Sequence, residues 1–80
     1  MKLFHVYLSD YNKIIMNRIK EVLEKQGQTQ IWLAEKLGKS YNMVNSYAQN
    51  RTQPSIEILF EIGKILKVDP KDLLATKNIK

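Results

Sequence analysis

The sequence contains no cysteine, which removes disulfides, thiolate zinc sites and cysteine nucleophiles from consideration. Extracellular domains this small usually need such staples, so their absence points to a reducing cytoplasm. Long apolar runs are lacking too: nothing approaches the roughly 20 residues that a membrane span requires. The opening stretch from Met1 to Leu8 reads as too short and too polar for a signal peptide. His5 is the single histidine, with no second histidine or cysteine to share a metal ion. There is no glycine-rich phosphate loop and no nucleophile set beside a base. Carboxylates such as Glu21 and Glu24 fall on solvated helix faces, with nothing to aim them at a shared cleft. The chain has no internal repeat and no low-complexity tract. These absences argue against an enzyme and against any metal or cofactor.

What is present is a small basic chain with enough apolar material for a core. Its 80 residues are 44% hydrophobic, which fits one folded domain and argues against global disorder. At this size helices with local contacts are the favoured solution. The formal charge is +5 and the isoelectric point about 9.6, a balance that favours a polyanionic partner such as nucleic acid or an anionic membrane surface.

Two kinds of pattern divide the chain. Met1 to Lys13 is rich in strand-prone residues (Leu3, Phe4, Val6, Tyr7, Leu8) and carries a turn or cap signal at Ser9-Asp10. It reads as an arm, a short strand or an irregular extension. From Ile15 the period becomes helical, with Ile15, Ile19, Val22, Leu23 and Gln26 on one face and Arg18, Lys20, Glu21 and Lys25 opposite. Gly27 closes this helix. Thr29 caps a second helix that turns Leu33, Ala34 and Leu37 inward and stops at Gly38. Ser40 caps a third, running to about Gln49, with Val44 and Tyr47 as apolar contacts and Asn50 suited to the left-handed closing position. Pro54-Ser55 opens a fourth, with Ile56, Leu59, Phe60, Gly63 and Leu66 inward. Asp69 and Pro70 start a short fifth helix through Leu74. The expected division is an N-terminal extension over 1–14, a five-helix all-α domain over 15–75 and a polar tail over 76–80.

The segment from Thr29 to Pro54 carries the functional signal. Gly38-Lys39-Ser40 joins two helices by a turn of about three residues, which forces a steep crossing and requires positive φ at Gly38. Ala34 keeps the crossing backbones close, and Val44 fills the angle between them. This run of residues resembles the helix-turn-helix of the Cro/C1 type (Xre family), and the resemblance extends through Pro54, the helix from Ile56 to Leu66, and Val68-Asp69-Pro70. It covers roughly Met16 to Leu74. The sequence departs from the usual family pattern at Ala48, where Glu is common, and at Asn50, where Gly is common; Asn tolerates the left-handed geometry. The resemblance implies a lambda-repressor-like five-helix DNA-binding domain, often dimeric, serving as a repressor, an antitoxin or a restriction-modification controller.

In such a motif the third helix enters the major groove by its first turn. The side chains pointing outward and forward from it are Tyr41, Asn42, Asn45 and Ser46, the candidate base readers. Asn pairs bidentately with adenine, Ser serves several bases, and Tyr41 can reach a phosphate or lie on a thymine methyl. The resemblance places Gln30 on the DNA backbone at the start of the second helix, and Lys39, Ser40, Gln49, Arg51 and Gln53 flank the recognition helix as candidate phosphate contacts. No carboxylate occurs from Leu37 through Ile56, whereas Glu57, Glu61, Asp69 and Asp72 gather beyond it. Tyr47 and Phe60 sit at core spacing. Trp32 leaves two readings open, packing against Phe4 or Tyr11 of the extension or marking a partner surface.

The leading expectation is a cytoplasmic, sequence-specific regulator, a repressor bound as a homodimer to an inverted repeat in double-stranded DNA. The region around Leu73 and Leu74, or the N-terminal arm, would supply the dimer contact. The alternative is an antitoxin or similar regulator whose main partner is another protein such as a toxin, with DNA binding used for autoregulation. A membrane-surface role fails on the shortness of the Lys2 to Leu8 stretch.

Overall fold

A computed structural model of the protein describes residues 13–78. In chain order its elements are strand β1 (Lys13–Asn17), helices α1 (Ile19–Gln26), α2 (Gln30–Leu37), α3 (Tyr41–Ala48) and α4 (Ile56–Leu66), a 3-10 turn (Pro70–Leu73) and strand β2 (Leu74–Asn78). The expectations resting on Leu3 to Leu8, Ser9-Asp10 and Tyr11 lie outside the described residues.

The helix boundaries follow from local chemistry. Thr29, Ser40 and Ser55 are extended residues whose side-chain oxygens accept from the backbone N–H groups of Trp32, Met43 and Ile58, so each satisfies a donor that the first helical turn leaves unpaired. Gly38 closes α2 in the left-handed conformation, at φ 70°. Gly27 closes α1 in the same way. Asp69 caps the 3-10 turn from outside while Pro70 opens it.

One core joins the helices. Ile19 and Leu23 from α1, Leu33 and Ala34 from α2, Val44 and Tyr47 from α3, and Leu59, Ile62 and Leu66 from α4 bury together with Leu73. Trp32 is half-buried and packs against this cluster. Each fully buried Leu or Ile contributes about 1.5–3 kcal/mol. Gly63 sits where α4 meets the 3-10 turn: a Cβ there would stand 2.9 Å from the Val68 carbonyl oxygen.

Four expectations are corrected. The first helix begins at Ile19, not Ile15, because the backbone before it is engaged elsewhere. Residues 13–17 pair antiparallel with β2, Lys13 opposite Asn78 and Asn17 opposite Leu74, and the Arg18 N–H donates to the Leu73 carbonyl at 2.8 Å. The expected boundary at 14/15 therefore runs through β1, and residues 76–78 of the expected tail belong to β2. The five expected helices become four, since Pro70–Leu73 forms only a 3-10 turn before the chain turns extended at Leu74. Finally, the inner stripe of α4 is Leu59, Ile62, Gly63 and Leu66. Ile56 and Phe60, expected inside, are 72% and 55% exposed. Gln26, which shares the face of Ile19 and Leu23 in the sequence pattern, lies at the surface, where its side-chain amide donates to the Leu66 carbonyl at the end of α4.

Candidate nucleic-acid interface

The turn between α2 and α3 consists of Gly38, Lys39 and Ser40. The positive φ of Gly38 reverses the chain, and the Lys39 N–H closes back on the Ala34 carbonyl at 3.0 Å. Ala34 is buried at this crossing and Val44, fully buried, pins α3 from the other side. The crossing leaves the start of α3 projecting, with Tyr41 and Asn42 exposed in its first turn and Asn45 and Ser46 half-buried one turn later. Met43 is exposed beside them; it offers a methyl-sized apolar contact that the sequence reading did not single out.

Several candidate residues are drawn together by hydrogen bonds. The Asn45 amide donates to the Gln30 side-chain carbonyl at 2.8 Å and lies 3.4 Å from the Tyr41 hydroxyl. Gln30 thus has its carbonyl engaged and keeps its NH2 to donate, and Tyr41, accepting from Asn45, keeps its own O–H to donate. The Ser46 hydroxyl donates to Thr52 at 3.2 Å, fastening α3 to the loop that follows. Ser40 accepts from Met43 N–H as the cap of α3, so its hydroxyl hydrogen is left to donate outward. Lys39 is half-buried in the turn, and Gln49 and Arg51 are exposed after α3. Gln53 is differently occupied: its side-chain carbonyl accepts from Asn17 at 2.8 Å and its amide donates to Asn50 at 2.9 Å.

The sequence reading missed Asn17 altogether. It is 6% exposed, the one buried polar residue among those described. Its side-chain oxygen accepts from the Ile19 N–H, and its NH2 donates both to the Tyr47 carbonyl at the end of α3 and to Gln53. The signal that could have found it is the Asn-Arg break between an apolar run and a helix, since Asn favours such capping turns.

Charge along this stretch of chain is one-sided. Lys39 and Arg51 lie in a run without carboxylates from Leu37 through Ile56, while Glu57 and Glu61 are carried by α4, Asp69 caps the 3-10 turn and Asp72 lies within it. Among the described residues no group of acidic, histidine or cysteine side chains is placed to hold a metal ion, and no helix is long and apolar enough to cross a membrane.

Comparison with known proteins agrees with this geometry. No curated protein matches the chain significantly. Among solved structures, the chain is similar to a crystal structure from Bacteroides fragilis described as a "putative DNA-binding protein", with 40% sequence identity and a TM-score of 0.76, over 78% of this chain and 100% of that one. The helix-turn-helix family model matches residues 19–73, from the first residue of α1 to the last of the 3-10 turn. The chain belongs to the helix-turn-helix family of the Cro/C1 type, the Xre family.

Proposed function

We propose that this chain is a sequence-specific regulator of transcription that binds double-stranded DNA as a homodimer on an inverted repeat, acting as a repressor in the cytoplasm. The observation that carries the reading is the first turn of α3. Tyr41 and Asn42 are exposed there, Asn45 one turn on is hydrogen-bonded to Tyr41 and Gln30, and Lys39 and Arg51 flank them in a stretch free of carboxylates. In this assignment Tyr41, Asn42, Asn45 and Ser46 read bases, while Gln30, Lys39, Ser40, Gln49 and Arg51 hold phosphates. Gln53 reaches a phosphate only by exchanging its present partners. The reading gives the chain no chemical step to catalyse.

The homodimer is supported by apolar surface away from α3. Ile56, Phe60 and Leu74 are exposed and, with half-buried Pro54, line adjoining shallow grooves along α4. One recognition helix reads few base pairs, and a second copy about one helical turn away (~34 Å) supplies the remaining specificity. The same surface is what favours the second reading, an antitoxin or similar regulator that buries Ile56 and Phe60 against another protein.

Selection from random duplexes at about 150 mM salt, with non-specific competitor DNA, tests the proposal. Recovery of one inverted repeat, together with a dimer by light scattering that Phe60→Glu converts to monomer, is the expected result. Weak salt-sensitive binding without a preferred site, from a monomer, would move the function to the partner-dependent reading.

A further inference from the structure

The backbone of Asn17 faces away from its own strand partner. Arg18 N–H bonds to the Leu73 carbonyl, and Asn17 stands opposite Leu74 in the register. Alternation in an antiparallel ladder then turns the Asn17 N–H and carbonyl to the outer side of β1. An outward-facing strand edge is normally left to water or to another strand. Here both groups are met by one side chain: Asn17 N–H donates to the Asn50 side-chain oxygen at 2.8 Å, and the Asn50 amide donates to the Asn17 carbonyl at 3.3 Å. A primary amide presents the same donor and acceptor as a peptide group, so Asn50 serves as a single rung of a third strand.

Asn50 lies in the loop that follows α3 and takes a left-handed conformation, φ 61°. A glycine would satisfy that backbone geometry but could not make the rung. Gln53 closes the ring, donating to the Asn50 oxygen and accepting from the Asn17 amide, while the Asn17 amide also takes up the Tyr47 carbonyl. Between Asn50 and Gln53 sits Arg51, exposed, with its own N–H bound to the Ser46 carbonyl at 3.0 Å. The loop carrying the candidate phosphate contacts is therefore fastened at both ends to β1.

We propose that Asn17 and Asn50 are positioning residues for DNA binding: the Asn17–Asn50–Gln53 clasp holds loop 49–53 in its phosphate-gripping form before DNA arrives. The inference rests on the DNA-binding reading above and adds to it a control point outside the helix-turn-helix. A loop ordered in advance loses less conformational freedom on binding, and the loss of that order weakens every duplex alike, because phosphate contacts carry no sequence information. It also ties the terminal strands to the interface, so that displacing β1 loosens the grip of Arg51.

Asn50→Gly is the direct test, since glycine accepts the same backbone geometry while the rung and the bond from Gln53 are both removed. Asn17→Ser is the second variant, retaining an oxygen for the Ile19 N–H while deleting both amide donations. Duplex affinity and its salt dependence would be measured at a temperature where circular dichroism shows each variant folded, alongside hydrogen exchange of the Arg51 and Thr52 amides without DNA. The expected result is faster exchange in the loop, binding weaker by about tenfold for preferred and random duplexes alike, and an unchanged site preference. Faster exchange with wild-type affinity and salt slope would overturn the positioning role. So would unchanged exchange, which would show that the clasp does not order the loop. If the wild-type chain binds no duplex, the DNA-binding reading fails and the proposal falls with it. A wild-type chain that binds and an Asn50→Gly chain that binds equally well refute the clasp alone.

Discussion

The helix-turn-helix body and the terminal ribbon are built on different principles. The body, residues 19–73, closes through neighbouring helices, and its apolar residues meet across short connections. The ribbon joins residues 13–17 to residues 74–78, strands separated by the whole body, and the family model includes neither. The body supplies the surface offered to DNA; the ribbon holds the loop behind that surface through Asn17. The family's helical fold thus carries here a ribbon joined to the loop after α3 through Asn17 and Asn50.

Three substitutions would sharpen or break this contrast. The largest effect belongs to the body: Ile62→Ala removes a fully buried side chain and should cost about 2–5 kcal/mol, seen as a lower midpoint in urea denaturation. Interface chemistry comes next. Asn42→Ala should leave the denaturation midpoint where it is and reduce discrimination at one base pair by about 1–3 kcal/mol; an unaltered preference in a duplex selection would remove Asn42 from the base-reading set. The smallest is expected in the ribbon. Ala75→Pro, opposite Met16, deletes a ladder hydrogen bond and should lower global stability by only about 1 kcal/mol, with amide exchange greatly accelerated along both strands and the helices losing no more protection than that small global change. Were Ala75→Pro to unfold the helices as Ile62→Ala does, the ribbon would count as part of the body.

The body was largely legible because its signals are local. Thr29 and Ser40 cap the helices they were expected to cap, Ser55 caps the helix that Pro54-Ser55 was expected to open, Asp69 caps a 3-10 turn in place of the expected fifth helix, and Gly38 has the left-handed geometry that the short turn demands. The apolar face of α4 was misphased for a physical reason. Ile56, Ile58, Leu59, Phe60, Ile62, Ile65 and Leu66 surround most of the helix, and periodicity alone cannot choose among overlapping stripes; packing against the shared core, α2 and the 3-10 turn selects one. The start of α1 was misread because Ile14, Ile15 and Met16 suit a strand and a helix equally. What decided it was the distant partner β2, which has no local trace. The motif separated Tyr41 and Asn45 from Gln30 by role and did not announce the hydrogen bond that joins Asn45 to Gln30, and the engagement of Gln53 by Asn17 likewise depends on a contact across 36 residues that no pattern in either segment announces.

The antiparallel ladder has one more consequence. Because Lys13 and Asn78 stand opposite each other, the chain arrives at the helical body and departs from it through the same doorway, about 5 Å wide. A polypeptide with that property can be spliced into an exposed loop of an unrelated host without prying the host's loop apart. Residues 13 and 78 could equally be joined by a short linker and the ring reopened elsewhere, and cargo attached at Lys13 or at Asn78 would hang from one side of the helical body.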